Sequence, residues 1–274
     1  MPVRPLSAFA DLRPIPEDLH AAILRLEEAR PPGVARRAVF DLDNTLLVGD
    51  IGEAVFAHLL LEKAPVKLTW SEYRRMIARD PASAYVALVD AMRGLEVSAV
   101  LRSTLKVITT SLRELTVEGA LVPVPRPHPV MRSVVVLLQN LGYAVHVITA
   151  SNQISARIVC AELLGIPEEH VHGMRSVIEG ETMSDRILEP LPVGAGKREV
   201  YRTFVGTDAP FIVGGDSPLD IPLLDLVRPQ GLVLWVGEDR SAFELMKSLV
   251  GGSRSFTYVH RPPKGGGQPA LAVA

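Results

Sequence analysis

Four short, nearly uninterrupted apolar runs, at residues 38–40, 144–148, 211–213 and 232–236, constrain this chain more than any other feature. Such runs suit strands buried on both faces of a parallel sheet, not strands with one wet face. Helical patterns lie between them. The segment 130–141 stops at Gly142 and 154–164 stops at Gly165, and glycine readily takes the left-handed conformation that closes a helix. Strands alternating with helices predict an α/β fold on a doubly wound parallel sheet. In such sheets ligands bind beyond the carboxyl ends of the strands, so functional residues are sought there.

One connection is too long for an ordinary crossover. Between Thr45 and Ala144 the sequence carries helical patterns at 51–62, 71–78, 82–92 and 98–114, then a proline-rich return at 122–129. This predicts a helical cap inserted over the sheet edge. The expected division is an N-terminal helical extension at 1–34, a catalytic core at 35–49 and 128–261, the cap at 50–127, and a flexible tail at 262–274. The extension reads as irregular through residue 16 and then helical, with Leu19, Ile23, Leu24 and Leu26 as apolar positions, up to Pro31-Pro32-Gly33. Gly180, between the alternating segments 175–178 and 182–188, predicts a hairpin. The tail is too poor in apolar residues to fold alone.

Composition removes several function classes. A formal charge of −2 over 274 residues gives no attraction to a polyanion, and 5% aromatic content offers no base-stacking platform, so no nucleic-acid partner is expected. Cys160 is the only cysteine, which excludes an intrachain disulfide and reads as a small buried residue. The N-terminus lacks the apolar core of a signal peptide, and no apolar stretch reaches membrane-spanning length. A soluble, cytoplasmic protein with no membrane partner is expected.

Chemistry is carried by polar residues placed where strands end. Asp41 and Asp43 follow the first run, and residues two apart on an extended chain face the same way. Paired acids suit a metal or proton transfer; an acidic turn is the plainer account. Thr149-Ala150-Ser151-Asn152 follow the second run and precede a helix, so they form either an anion cradle or an N-cap by Ser151 or Asn152. Lys197 lies on the glycine-flanked loop Gly194-Ala-Gly, where a solvated surface charge is the ordinary outcome. Asp216 and Asp220 sit in Gly-Gly-Asp216-Ser-Pro-Leu-Asp220. Ser217 as N-cap with Asp220 as its capping-box partner explains two of these residues but leaves Asp216 without a role. The histidines show no zinc-type spacing, and His170 and His172 receive no role.

Taken in order, Asp-Leu-Asp-Asn-Thr, a threonine at a strand end, a lysine, and Gly-Asp-Ser-Pro-Leu-Asp resemble the four motifs of the haloacid dehalogenase-like phosphohydrolase superfamily, over about 37–236. The inserted helices and the hairpin look most like its phosphoserine-phosphatase branch. The resemblance implies a phosphatase acting on a small phosphorylated metabolite, with Asp41 as nucleophile forming an aspartyl-phosphate and Asp43 as general acid and base. It implies Mg2+ held by Asp41, the main-chain carbonyl of Asp43 and Asp216, with Asp220 in support. Thr149, Ala150, Lys197 and Asn44 would hold phosphoryl oxygens. Dehalogenases of the superfamily lack an acid two residues after the nucleophile, so Asp43 favours phosphomonoester chemistry. A phosphotransferase or phosphomutase, and a non-catalytic phosphate- or metal-binding relative, are the other readings.

For the substrate head group the resemblance points to Asp50, with Glu53 nearby, and to Arg74 or Arg75 as cap arginines. Asn44 replaces the serine usual in phosphoserine phosphatases, and Gly-Asp-Ser-Pro-Leu-Asp replaces their last motif. Both variants also occur in related enzymes of the family it resembles that act on other small phosphates, phosphocholine among them. A choline head would seek an acid and aromatic faces, and Phe56, Trp70, Tyr73 and Tyr85 are available, unless they pack the cap interior.

Overall fold

A computed structural model describes residues 12–238, 240–252 and 254–262, and in it the four apolar runs form the centre of a seven-stranded sheet. The order across the sheet is Ser255–His260, Leu232–Gly237, Ile212–Gly215, Arg37–Phe40, Ala144–Asn152, Val171–Glu179 and Thr182–Leu188. Every neighbouring pair is parallel except the last, which is antiparallel. Alternation along each strand explains the continuous apolar runs. Ala38 and Phe40 join one core with Leu19 and Ile23 of the helix Glu17–Glu28 and with Met131, Val134 and Leu138 of the helix Pro129–Asn140. Val39, between them, points to the other face and meets Val200, Tyr201 and Leu223. Leu232, Leu234 and Val236 serve the first face, while Val233 and Trp235 serve a second cluster with Phe243 and Met246. Helices thus cover both faces, as a doubly wound sheet requires.

The insert holds the helices Ile51–Leu61, Trp70–Ile77, Pro81–Asp90 and Val97–Thr109. Local chemistry starts three of them: Asp50 accepts from the Glu53 N–H, Thr69 and Glu72 form a reciprocal capping box, and Asp80 caps a helix that opens on Pro81. The last helix is shorter than the pattern 98–114 suggests. The chain turns extended at Thr110, and Glu114–Val117 pairs with Ala120–Pro123. Glu118 and Gly119 both take positive φ, 47° and 79°, the geometry of the tightest hairpin turn. The helix expected over 154–164 is also modified: an α-helical part, Gln153–Val159, widens to a π-turn at Cys160–Leu164, where Cys160 is free and buried. The hairpin about Gly180 forms, with its first strand beginning earlier, at Val171. The strand Ser255–His260 and the helix Ser241–Val250 were not signalled by an apolar run. Residues 1–11 and 263–274, which include most of the expected irregular N-terminus and flexible tail, lie outside the described residues.

His128 joins the insert's return to the far edge of the sheet. It is fully buried; its main-chain N–H donates to the Leu46 carbonyl at 2.8 Å, and its Nδ1 accepts from the Met131 N–H at 3.3 Å. That leaves the proton on Nε2, which donates to the His260 carbonyl at 3.0 Å. Burial, reinforced by the Arg261 charge, lowers its pKa to about 4. The folded value lies below the unfolded one, so the stability His128 contributes is complete above pH ~6.5 and is lost as pH falls towards 4. His146 and His172 act in the same direction, and buried carboxylates with raised pKa act in the opposite one. The difference between wild type and His128→Asn is therefore the clean measurement. Denaturant unfolding between pH 6.5 and 4.5 should show a wild-type slope steeper by about 1 kcal/mol per pH unit. Equal slopes would show that His128 does not titrate with folding.

Candidate active site

Strand register delivers the acids. The Asp41 N–H donates to the Gly214 carbonyl at 2.9 Å, so the end of Arg37–Phe40 lies beside the end of Ile212–Gly215, whose next residue is Asp216. Oxygens of Asp41, Asp216 and Asp220 all lie within 4.8 Å of one another. Asp220 is fixed from behind: one oxygen accepts from the Asp216 and Ser217 N–H groups and the Ser217 hydroxyl at 3.0–3.1 Å. Its other oxygen meets Lys197.

Lys197 is not a surface charge. It is 3% exposed, and its Nζ donates to Asp41 at 2.6 Å and to Asp220 at 2.6 Å. The preceding loop makes this possible. A Cβ on Gly196 would stand 1.9 Å from the Leu191 carbonyl oxygen, so only glycine lets the turn close and carry Lys197 inward. Burial alone would push the ammonium pKa down, but Asp220 and Asp41 outweigh it and the net shift is upward. The lysine is charged.

Asp43 is half-buried at the mouth. One of its oxygens accepts from the Ile51 N–H at 2.7 Å; the other accepts from the hydroxyls of Thr149 at 3.0 Å and Ser151 at 2.7 Å. Asn152, not Ser151, caps the next helix, accepting from Ile154 and Ser155, and this leaves Ser151 for Asp43. Burial raises the Asp43 pKa against the pull of those hydrogen bonds. Asp41 is raised well above the usual carboxylate range, by burial first, with Lys197 opposing and the other aspartates adding. Asp216 is pushed up to about 7 by burial and Asp220, against Arg261. This surplus of buried negative charge, on hard oxygen donors, is what a divalent cation such as magnesium relieves, so the residues present fit one.

These groups surround a cavity of about 60 Å³, which Asn44, Ala150, Asp50 and Tyr85 also line. Asn44 sits at φ 59°, a conformation asparagine tolerates, and its Oδ1 is buried without a partner. Asp50 is buried beneath the helix it caps. Glu53 is not part of the lining: it accepts from the Tyr73 hydroxyl at 2.9 Å and lies 3.9 Å from Arg74, whose side chain is largely exposed. Phe56, Trp70 and Tyr73 pack against one another as insert core, with centroids 5.6–6.2 Å apart, which leaves Tyr85 as the one of the four aromatics at the cavity. Burial and the Asp50 charge raise its pKa, so it offers a neutral hydroxyl. Three contributors have roles that the sequence does not assign: Ser151, read there as cradle or N-cap, bonds Asp43, the Thr45 hydroxyl donates to Asp216 at 3.3 Å, and Arg261 bonds Asp216 at 2.9 Å. Thr45 closes the first motif and Ser151 follows the second strand; nothing local marks Arg261.

Fold and site together define an α/β protein whose carboxylates gather at the carboxyl edge of a doubly wound sheet. Residues 38–225 match the model of the haloacid dehalogenase-like hydrolases, and the chain belongs to that family. No curated protein matches it. Among solved structures it is similar to a conserved protein of unknown function from Anaerococcus prevotii DSM 20548, with TM-score 0.64 and 16% identity over 89% of this chain and 92% of that one. It is also similar to a protein of unknown function from Bordetella pertussis Tohama I, with TM-score 0.59 and 16% identity over 81% and 99%. A phosphoserine phosphatase captured as a phospho-aspartyl intermediate analogue aligns with TM-score 0.51 and 13% identity over 81% and 93%. At these identities the likeness is one of fold. Among the described residues no helix is long and apolar enough to cross a membrane.

The loop carrying Lys197 yields a direct test. Gly196→Ala should lower unfolding free energy by about 1–3 kcal/mol in denaturant titration, because the backbone at Leu191 must move. Unchanged stability would show that the loop closes less tightly than drawn.

Proposed function

We propose that this protein is a magnesium-dependent phosphatase that hydrolyses a small phosphomonoester through an aspartyl-phosphate on Asp41. The observation that carries this reading is the buried Lys197 between Asp41 and Asp220, with Asp43 hydrogen-bonded at the cavity mouth. The lysine holds one Asp41 oxygen, so the carboxylate is fixed in direction before substrate arrives. The other oxygen attacks phosphorus, the bond to the ester oxygen breaks, and that oxygen takes a proton from the carboxylic acid form of Asp43, the general acid. Asp43, now a carboxylate, then takes a proton from water as the water oxygen displaces Asp41 from phosphorus, releasing orthophosphate. Magnesium, held by Asp41, the Asp43 carbonyl and Asp216, with Asp220 in support, supplies neutralisation of the phosphoryl charge when bound. Thr149, Ala150, Asn44 and Lys197 are the groups available to the phosphoryl oxygens.

The head-group end of the cavity supports a finer reading. Its lining includes Asp50 and Tyr85, and Lys197, already engaged by two carboxylates, is the only basic side chain there among the described residues. Among the described residues no arginine lines it to meet a substrate carboxylate, and Arg74 lies against Glu53 instead. A cationic amine without a carboxylate, as in a phosphocholine-like ester, therefore suits the site better than phosphoserine. Residues 50–127 act as its cap, and the reaction takes place in the cytoplasm.

Release of phosphate from a generic aryl phosphate tests the chemistry. Wild type should require magnesium, Asp41→Asn should fall to background, and Asp43→Asn should lose about 10²–10⁴ in kcat on an ester with a poor leaving group. Activity of Asp41→Asn equal to wild type would exclude the covalent route. On a substrate panel, kcat/KM for phosphocholine and phosphoethanolamine should exceed that for phosphoserine, and Asp50→Asn should act chiefly through KM. Preference for phosphoserine would refute the head-group assignment, and phosphoryl transfer to added alcohols in place of hydrolysis would redirect the reading to a phosphotransferase.

A further inference from the structure

Arg261 enters the site from the end of the chain that the motifs do not reach. The strand Ser255–His260 pairs in parallel with Leu232–Gly237 along its whole length, and the Arg261 N–H continues the ladder to the Gly237 carbonyl at 2.7 Å. His128 holds the preceding carbonyl, that of His260, at 3.0 Å. The backbone is thus fixed, and the guanidinium crosses the carboxyl edge of the sheet. Its Nη1 donates to Asp216 Oδ2 at 2.9 Å and to the Asn44 carbonyl at 3.1 Å, and its Nη2 donates to Glu238 at 3.3 Å. The side chain is 13% exposed, and its Nε is buried without a partner. A buried guanidinium with an unpaired N–H is destabilising by itself, so its placement calls for another account.

Charge supplies one. The three carboxylates of the cluster are contacted by two fixed cations, Lys197 and Arg261. With all three ionised around a divalent ion, the set carries one net positive charge; without Arg261 it would be neutral. Glu238 screens the guanidinium only from its solvent side, since its own side chain is 54% exposed. Arg261 does not line the cavity, so its influence passes through Asp216. The Thr45 hydroxyl holds the other Asp216 oxygen, which keeps the carboxylate fixed between the two loops.

We propose that Arg261 is a positioning residue that makes the ion-loaded site more positive by one charge: it weakens divalent-cation binding and strengthens binding of the phosphate dianion. The inference rests on the phosphatase reading above. A lysine in its place keeps the charge but loses the fork whose Nη1 meets Asp216 and Asn44 and whose Nη2 meets Glu238.

Calorimetry on the full-length protein tests this without turnover, using Mg2+ alone and then inorganic phosphate at saturating Mg2+. For Arg261→Met, Mg2+ should bind more tightly and phosphate more weakly, each by roughly tenfold, the scale on which one partly buried charge acts over several ångströms. Arg261→Lys should restore both values most of the way. A merely structural role would weaken both ligands together, so parallel losses, or no change in either, overturn the proposal. Should Arg261→Met fail to fold, Glu238→Gln, which frees the guanidinium of its solvent-side partner, should shift both constants the opposite way by about twofold. No shift there overturns it equally. If wild type binds neither Mg2+ nor phosphate, the phosphatase reading fails first, and wild type alone decides that.

Discussion

The Nζ of Lys197 stands 2.6 Å from both Asp41 and Asp220, and the whole carboxyl edge of the sheet depends on this buried contact. Removing a carboxylate from water costs several kcal/mol even after relaxation, and here three lie within reach of one another. One ammonium shared by two of them offsets part of that cost and fixes both in direction. What remains uncompensated shows in the raised pKa values of Asp41 and Asp216. The folded chain is therefore electrostatically incomplete at one place, and the missing charge is positive. This is the property of a site shaped for a cation and not of a structural ion-pair network, which would balance.

The backbone does most of the positioning. Asp41 is tied to Gly214 across the ladder, and Asp216 follows the neighbouring strand by a single residue beyond Gly215. Asp220 returns through a short turn to accept from the amides of Asp216 and Ser217. The capping box anticipated for Ser217 and Asp220 is thus present, and it serves the site: the oxygen that caps the turn leaves its twin aimed at Lys197. Capping and charge placement are one arrangement. Likewise, Asn152 caps the helix beside the cavity so that Ser151 can serve Asp43.

Much of this was legible in the sequence because it rests on short-range rules. Both-face burial produced uninterrupted apolar runs, and the acids sit immediately after them. The glycines at 142 and 165 marked helix ends at their observed places, each with positive φ. Illegible features depended on distant partners or on weak signals. Ser255–His260 is an edge strand, mostly half-buried and exposed at both ends, with polar residues among its apolar ones, so it carries no apolar run. Glu118-Gly119 makes a tight hairpin with a residue pair far less diagnostic than Asn-Gly, and the helix pattern before it was extended too far. Lys197 had the composition of a surface lysine; only the approach of Gly196 to Leu191 turns it inward. Arg261 lies 217 residues from Asn44 and 45 from Asp216, and no local pattern encodes such a meeting.

The contributions to the cavity divide by origin. Residues on the sheet edge, Asp41, Lys197, Asp216 and Asp220, are held by the ladder and by one another, and a change in any of them disturbs the charge balance of all. Asp50 and Tyr85 come from the start of the insert and from its third helix, and their supports are different: a helix N-terminus for Asp50 and burial within the insert for Tyr85. The Phe56–Trp70–Tyr73 cluster stabilises the insert without reaching the cavity. The insert's cavity-lining side chains can therefore vary by substitution while the packing behind them and the carboxylate cluster beneath them stay as they are. Charge is shared among the acids and the lysine of the sheet edge, while the insert contributes single side chains that can change alone.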